Sequence, residues 1–181
     1  MRILIVALAV LFSAPSVRAE GLVNIRTNVI LMMVKAFDLS ADFNIGRGFT
    51  VGPTIFGYRT ESNETPSAKN DGGAFGARLT YNLNAQAHTE GVVFSISALG
   101  GNNNITKGSY TGVAKANITT VMVAYQWVYE SGFNFGIAGG LMSSSVASSI
   151  ELKDSTGAVT TQALPGTSTN FFPEFSIGWI F

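Results

Sequence analysis

The stretch Phe171-Phe172-Pro173-Glu174-Phe175-Ser176-Ile177-Gly178-Trp179-Ile180-Phe181 alternates with a period of two. Phe171, Pro173, Phe175, Ile177, Trp179 and Phe181 fall on one face, and Phe172, Glu174, Ser176, Gly178 and Ile180 on the other. Successive side chains of a strand point to opposite sides, so this spacing predicts a β-strand with one greasy face and one mostly small or polar. Its length is also about that of a tilted strand crossing a bilayer, roughly 9–11 residues.

The same pattern recurs upstream. Phe133, Phe135, Ile137, Gly139 and Leu141 oppose Asn134, Gly136, Ala138 and Gly140, while Val121, Val123, Tyr125, Trp127 and Tyr129 oppose Thr120, Met122, Ala124 and Gln126. Phe94, Ile96 and Ala98 alternate with Ser95 and Ser97, and Phe75, Ala77, Leu79, Tyr81 and Leu83 with Gly76, Arg78, Thr80 and Asn82. Phe49 to Ile55 and Leu39 to Ile45 read likewise. A first strand, from Asn24 to Leu31, is the weakest because Val29 to Val34 is apolar on both faces. That run is expected to be a strand packing the interior or an irregular first connection.

The chain starts differently. Arg2 is followed by an unbroken apolar run from Ile3 to Phe12 and then by Val17-Arg18-Ala19, the pattern of an export signal over residues 1–19, with 20–181 as the mature domain. A run of about ten residues is half of the ~20 that a membrane-spanning helix needs. About 160 residues then remain, enough for one domain. Removing Arg2 and Arg18 leaves nine basic against eleven acidic residues and no basic run, which argues against a nucleic-acid partner. There is no cysteine, which excludes disulfides, thiolate chemistry and a lipid-anchored N-terminus. Charged residues are only 12% of the chain, about half the usual share for a soluble domain.

An apolar protein without spanning helices can still sit in a membrane as a closed barrel, because closure pairs every backbone N–H and C=O within the chain. Eight alternating segments predict an all-β fold, an eight-stranded antiparallel up-and-down transmembrane β-barrel preceded by a signal peptide. Connections alternate too. Short ones fall at Gly46-Arg47-Gly48, Asn84 to Gly91 and Glu130 to Gly132, and long ones at Thr60 to Gly72, Gly101 to Gly112 and Ser144 to Asn170, the rhythm of periplasmic turns and external loops. Phe49, Tyr81, Trp127, Tyr129, Phe133, Trp179 and Phe181 gather near the short-turn end, as in an interfacial aromatic girdle. Pro53 and Pro173 cannot donate to a ladder and are expected near a rim or bulge. A soluble β-sandwich or lipocalin-like barrel would also alternate, but its polar faces would carry many more charges than the Gly, Ser, Thr and Asn found here.

Phe175-Ser176-Ile177-Gly178-Trp179-Ile180-Phe181 resembles the terminal signal of bacterial outer-membrane barrels, carried by Phe175, Ile177, Trp179 and Phe181. With eight strands, the mature chain resembles the small OmpA/OmpX-like barrels over nearly its whole length. The resemblance implies export through the periplasm, recognition by the barrel-assembly machinery and contact with outer-membrane lipid and lipopolysaccharide. Because the sequence stops at Phe181, the periplasmic peptidoglycan-binding domain of the OmpA proteins is not expected.

Chemistry is sparse. The one histidine, His88, falls in a short turn and is expected to be a solvated turn residue rather than a catalytic base. Asp38 with Asp42, and Glu61 with Glu64, lack the partner sets of acid–base pairs, and the Asn-x-Thr triplets at Asn63, Asn104 and Asn117 are ordinary polar positions in a bacterial chain. Neither a transition-metal cluster nor a calcium loop is visible, so no cofactor or metal is expected. The alternation turns Arg26, Asp42, Arg78 and Glu174 inward, where an Arg avoids the roughly 2–4 kcal/mol cost of facing lipid at the midplane. Arg26 is expected to pair with Glu174 across neighbouring first and last strands, and Arg78 to reach Glu174 or Asp42, forming a salt-bridged plug. The sequence thus points to a non-enzymatic outer-membrane barrel with a filled lumen, serving envelope integrity or surface contact through its external loops, with room there for an extracellular ligand. A narrow pore is the alternative, and a lipid-modifying enzyme is a weaker one.

Overall fold

The computed structural model describes residues 21–61, 68–147, 149–164 and 166–181; the expected signal segment 1–19, Asn63 and Glu64 lie outside these residues. The elements in chain order are β1 (Val23–Asn28), α1 (Val29–Met33), β2 (Ala36–Gly46), β3 (Phe49–Glu61), β4 (Ala68–Asn82), β5 (Gly91–Lys107), β6 (Tyr110–Val128), β7 (Phe133–Val146), β8 (Ser149–Lys153), β9 (Val159–Ala163) and β10 (Thr167–Ile180). Strands β1 to β6 each pair antiparallel with the next, and β10 pairs with both β7 and β1. Eight strands therefore close into an antiparallel ring, and β8 and β9 form a hairpin outside it.

The C-terminal stretch is paired on both sides. Phe171 lies opposite Leu141 and Trp179 opposite Phe133 on β7, while Ile177 lies opposite Thr27 and Trp179 opposite Ile25 on β1. Alternation sorts the side chains as period two requires. Arg26, Ser40, Asp42, Thr50, Thr80 and Ser176 point into the ring and are buried, whereas Phe37, Leu39, Phe43, Ile96, Val121 and Ile137 point out and are exposed. This inverts the usual globular arrangement.

Two prolines sit where the ladder can spare a donor. Pairing between β2 and β3 runs from Ala36 opposite Tyr58 to Ser40 opposite Thr54, then resumes at Phe43 opposite Val51, leaving Gly52 and Pro53 outside the regular pairs. A Cβ at Gly52 would collide with the Ala41 carbonyl, so glycine allows the close approach of the two strands here. On β10 the Phe175 N–H points towards β1, where it reaches the Asn28 side chain at 3.3 Å. Two residues earlier, Pro173 faces the same side, beyond the last β1 pair at Asn28 opposite Ser176.

The doubly apolar run Val29 to Val34 is neither a strand nor an irregular connection in its first five residues: it is α1. The Asn28 side chain caps it, accepting from the Ile30 N–H at 3.0 Å, and the same oxygen accepts from Phe175. Capping ends β1 after six residues, and the helix fills the wall between β2 and β10 above that point. Its one buried residue, Leu31, enters the lumen, while Met32 and Met33 face out.

The expected long loops differ most. Gly101 to Gly112 is not a loop: β5 and β6 stay paired from Gly91 opposite Gln126 to Lys107 opposite Tyr110, joined by Gly108 and Ser109. Thr60 to Gly72 is likewise strand on both arms, with Arg59 opposite Asp71 and Glu61 opposite Lys69 making ion pairs of 2.5 and 3.6 Å. Within Ser144 to Asn170 lies the β8–β9 hairpin. Polar Thr, Asn and Ser read as loop, yet ladder pairing and cross-strand ion pairs hold them extended. An apolar cluster forms above the ring, where Ile150 and Leu152 of β8 pack on Ile105 and Ala114, with Tyr110, Val146 and Leu164 at its margin. Gly112 lets the hairpin approach, since a Cβ there would strike Leu152 and Glu151.

Candidate functional site in the lumen

From the short-turn end inward, the lumen is filled by layers of hydrogen-bonded side chains. Asn134 donates to Asn24 at 2.9 Å, and the Thr50 and Thr80 hydroxyls meet. Next, Ser40 lies 3.0 Å from Thr54 and Ser97 lies 2.6 Å from Thr120. The hydroxyl pairs join residues on adjacent strands, because inward positions at one height are neighbours around the ring, while Asn24 of β1 and Asn134 of β7 meet past the intervening β10.

The four charges expected inside lie there, each at most 8% exposed. Arg26 Nε is 2.8 Å from Asp42, on the neighbouring strand β2, and Arg78 is 3.2 Å from Glu174, across the lumen from β4 to β10. Arg26 thus forms its ion pair with Asp42, not with Glu174. On β10 it is Gly178 that lies opposite Arg26, and Glu174 is four residues farther along, whereas on β2 Ser40 lies opposite Arg26 and Asp42 is only two residues along, opposite Asn24. Strand register, not strand adjacency alone, chooses the partner.

Asp38 is a fifth buried charged side chain in this stack, and it accepts from the Asn28 N–H at 2.5 Å. It makes no ion pair among the described residues, so three carboxyl groups face two guanidinium groups. Asp38 and Asp42 share a face as their spacing predicts, but their roles differ: one holds the end of β1, the other holds Arg26.

His88 is not a solvated turn residue; it is 4% exposed and closes the short-turn mouth. Backbone at φ 57° turns it inwards, and the turn is tied down by asparagines: Asn82 donates to the Thr89 carbonyl at 2.7 Å and Asn84 to the Glu90 carbonyl at 2.6 Å. Burial lowers the His88 pKa below its usual 6.5; the Asp42 charge and a hydrogen bond with the Leu22 backbone oppose this shift. The signal that could have shown this is the density of Asn, Gln and Thr around it, which supplies local side-chain bonds to backbone.

Beyond Arg78 and Glu174 the lumen turns apolar, lined by Leu31, Phe56, Leu99, Met122, Met142 and Phe172. The cavities along the filled stretch measure about 30 Å³ beside Arg78 and Glu174 and about 10 Å³ beside His88, room for one or two waters at most. Outside, ring contacts run through the aromatic residues of the short-turn end: Phe49 with Tyr81 at 4.6 Å, Tyr125 with Trp127 at 4.6 Å, and Phe133 with Trp179 at 6.0 Å. Among the described residues no helix is long and apolar enough to cross a membrane, which says nothing of crossing by strands. Comparison of the chain with family models, curated proteins and solved structures yields no match.

Proposed function

We propose that the chain is a bacterial outer-membrane barrel of the OmpA/OmpX-like kind, exported by its N-terminal signal, with a closed lumen and a role in envelope integrity or surface contact rather than catalysis. The observation that carries this reading is the inversion of faces: buried Arg, Asp and Glu line the inside, and Phe, Leu, Ile and Val cover the outside. Water outside such a ring would leave an apolar belt far larger than monomeric soluble proteins expose. Hydrocarbon outside removes that cost, and ring closure leaves the paired backbone satisfied.

Orientation follows from the ends. Short turns face the periplasm, with the aromatic rings at that interface, and the extended β3–β4 and β5–β6 arms with the β8–β9 hairpin project outwards. Strands β5 and β6, of 17 and 19 residues, exceed the roughly 9–11 that a crossing needs, so the excess forms the surface structure. The ion-paired lumen supports a plug over a narrow pore. His88 lies at the periplasmic mouth, at the opposite end from the outer leaflet where lipid chemistry would take place.

The test is expression of the full chain in a Gram-negative cell, with fractionation and gel migration before and after boiling. Outer-membrane recovery, a faster unboiled band and loss of both on deleting Phe181 are expected. Soluble folded protein in the periplasm without detergent refutes the proposal.

A further inference from the structure

At the mouth opposite the short turns the ring holds a chamber of about 440 Å³, within the usual 300–1,000 Å³ of small-molecule sites. Its walls are Phe56 and Tyr58 of β3, Ile105 of β5, Ile118 of β6 and Met142 and Val146 of β7. Phe56, Ile118 and Met142 also line the 30 Å³ cavity next to Arg78 and Glu174, so the chamber has an apolar floor directly above the charged plug. It is a blind pocket.

Three side-chain amides interrupt the apolar lining, Asn70 of β4, Asn103 of β5 and Gln162 of β9, together with the hydroxyls of Ser144 and Ser145 on β7. The Asn103 Oδ1 and Gln162 Oε1 atoms are buried, and neither accepts a hydrogen bond from a described residue. Buried carbonyl oxygens are ordinarily matched with a donor. Gln162 arrives on the β8–β9 hairpin, whose one backbone pairing to the ring is Thr111 opposite Lys153. The hairpin is otherwise held by Ile150 and Leu152, and it completes a wall that the ring alone leaves open.

We propose that this chamber binds a small, largely apolar molecule carrying a hydroxyl, amine or amide N–H donor, which Asn103 and Gln162 engage. The placement of the chamber at the outer surface rests on the membrane reading above; the pocket itself rests on the ring and the hairpin. An apolar body fits the walls, the donor answers the two unmatched oxygens, and the blind floor stops passage through the lumen.

Methionine methyls supply the test, since Met142 lines the chamber, Met122 lies deeper in the lumen, and Met32 and Met33 face outwards. Protein labelled with ¹³C-methyl methionine in lipid nanodiscs is titrated with 1-naphthol and, separately, with 1-methoxynaphthalene, which lacks the donor. The Met142 signal should shift saturably with 1-naphthol. Binding should weaken about tenfold for 1-methoxynaphthalene and for the Asn103→Leu and Gln162→Leu variants, as loss of one hydrogen bond to a buried acceptor implies. Val146→Trp, which fills the chamber, should abolish the shift in protein that still shows the faster unboiled band. Failure of Met142 to saturate overturns the proposal, as does equal binding of both probes by all variants. A paramagnetic lipid added to the nanodisc should broaden Met32 and Met33; if it does not, the membrane reading fails while the Met142 result stands by itself.

Discussion

Replacing Glu174 with Gln removes one negative charge from the lumen, and so does replacing Asp38 with Asn, yet the two should behave differently. Glu174 lies 3.2 Å from Arg78, with both side chains 6% exposed. Unit charges about 4 Å apart attract by roughly 4 kcal/mol at an effective dielectric of 20, and breaking a buried pair by deleting one partner typically costs about 3–5 kcal/mol. Gln can still accept one hydrogen bond from Arg78, so about 3 kcal/mol is expected for Glu174→Gln. Asp38, by contrast, accepts a backbone hydrogen bond that Asn also accepts, and its removal balances two arginines against two acids. Asp38→Asn should stay within about 1 kcal/mol of the parent, or stabilise it. Replacing Arg78 and Glu174 together with Met should cost less than the sum of the single replacements, because neither leaves the other unpaired. Urea unfolding in lipid vesicles, followed by the fluorescence of Trp127 and Trp179, reads all five variants, the two single Met replacements included. Equal losses for Glu174→Gln and Asp38→Asn, or strict additivity in the double variant, would refute the assignment of the plug to geometry rather than net charge.

Three further outcomes follow from the same structure. His88 has a lowered pKa through burial, so the unfolded chain takes up its proton first as pH falls; stability should be full above about 6.5 and decline as pH drops through the lower folded value, with His88→Asn flattening that part of the profile. Leu152→Ala should remove about 2–5 kcal/mol of packing from the hairpin cluster; because the hairpin has one backbone pairing to the ring, the loss should appear as faster protease cleavage between residues 147 and 166 with little change in global unfolding. Asn28→Ala deletes both the α1 cap and the acceptor of the Phe175 N–H; it should cost about 1–3 kcal/mol and speed hydrogen exchange at Phe175 without affecting Trp179.

Strand identity, facing and the inward placement of Arg26, Asp42, Arg78 and Glu174 were legible in the sequence, because period-two alternation is a property of each strand alone. Neither alternation nor composition could decide whether Gly101 to Gly112 turns or continues. A Thr- and Asn-rich segment is a loop when free and a strand when a partner lies alongside, and here the partners are the opposite arms of the same hairpins. His88 was misread for a related reason: a turn looks solvated until the ring it folds against is present.

The sequence by itself determined that the chain alternates, which side of each strand is apolar, and that few groups for chemistry exist. Tertiary structure alone decided that Arg26 meets Asp42 and Arg78 meets Glu174, that Asn28 ends β1 in a helix, and that an outer hairpin completes an apolar chamber. Facing is set two residues at a time along one strand, whereas partners across a lumen depend on the register of eight strands at once. Asp42 and Glu174 both lie on strands that flank Arg26's, and only the register brings one within 2.8 Å and sets the other four residues away.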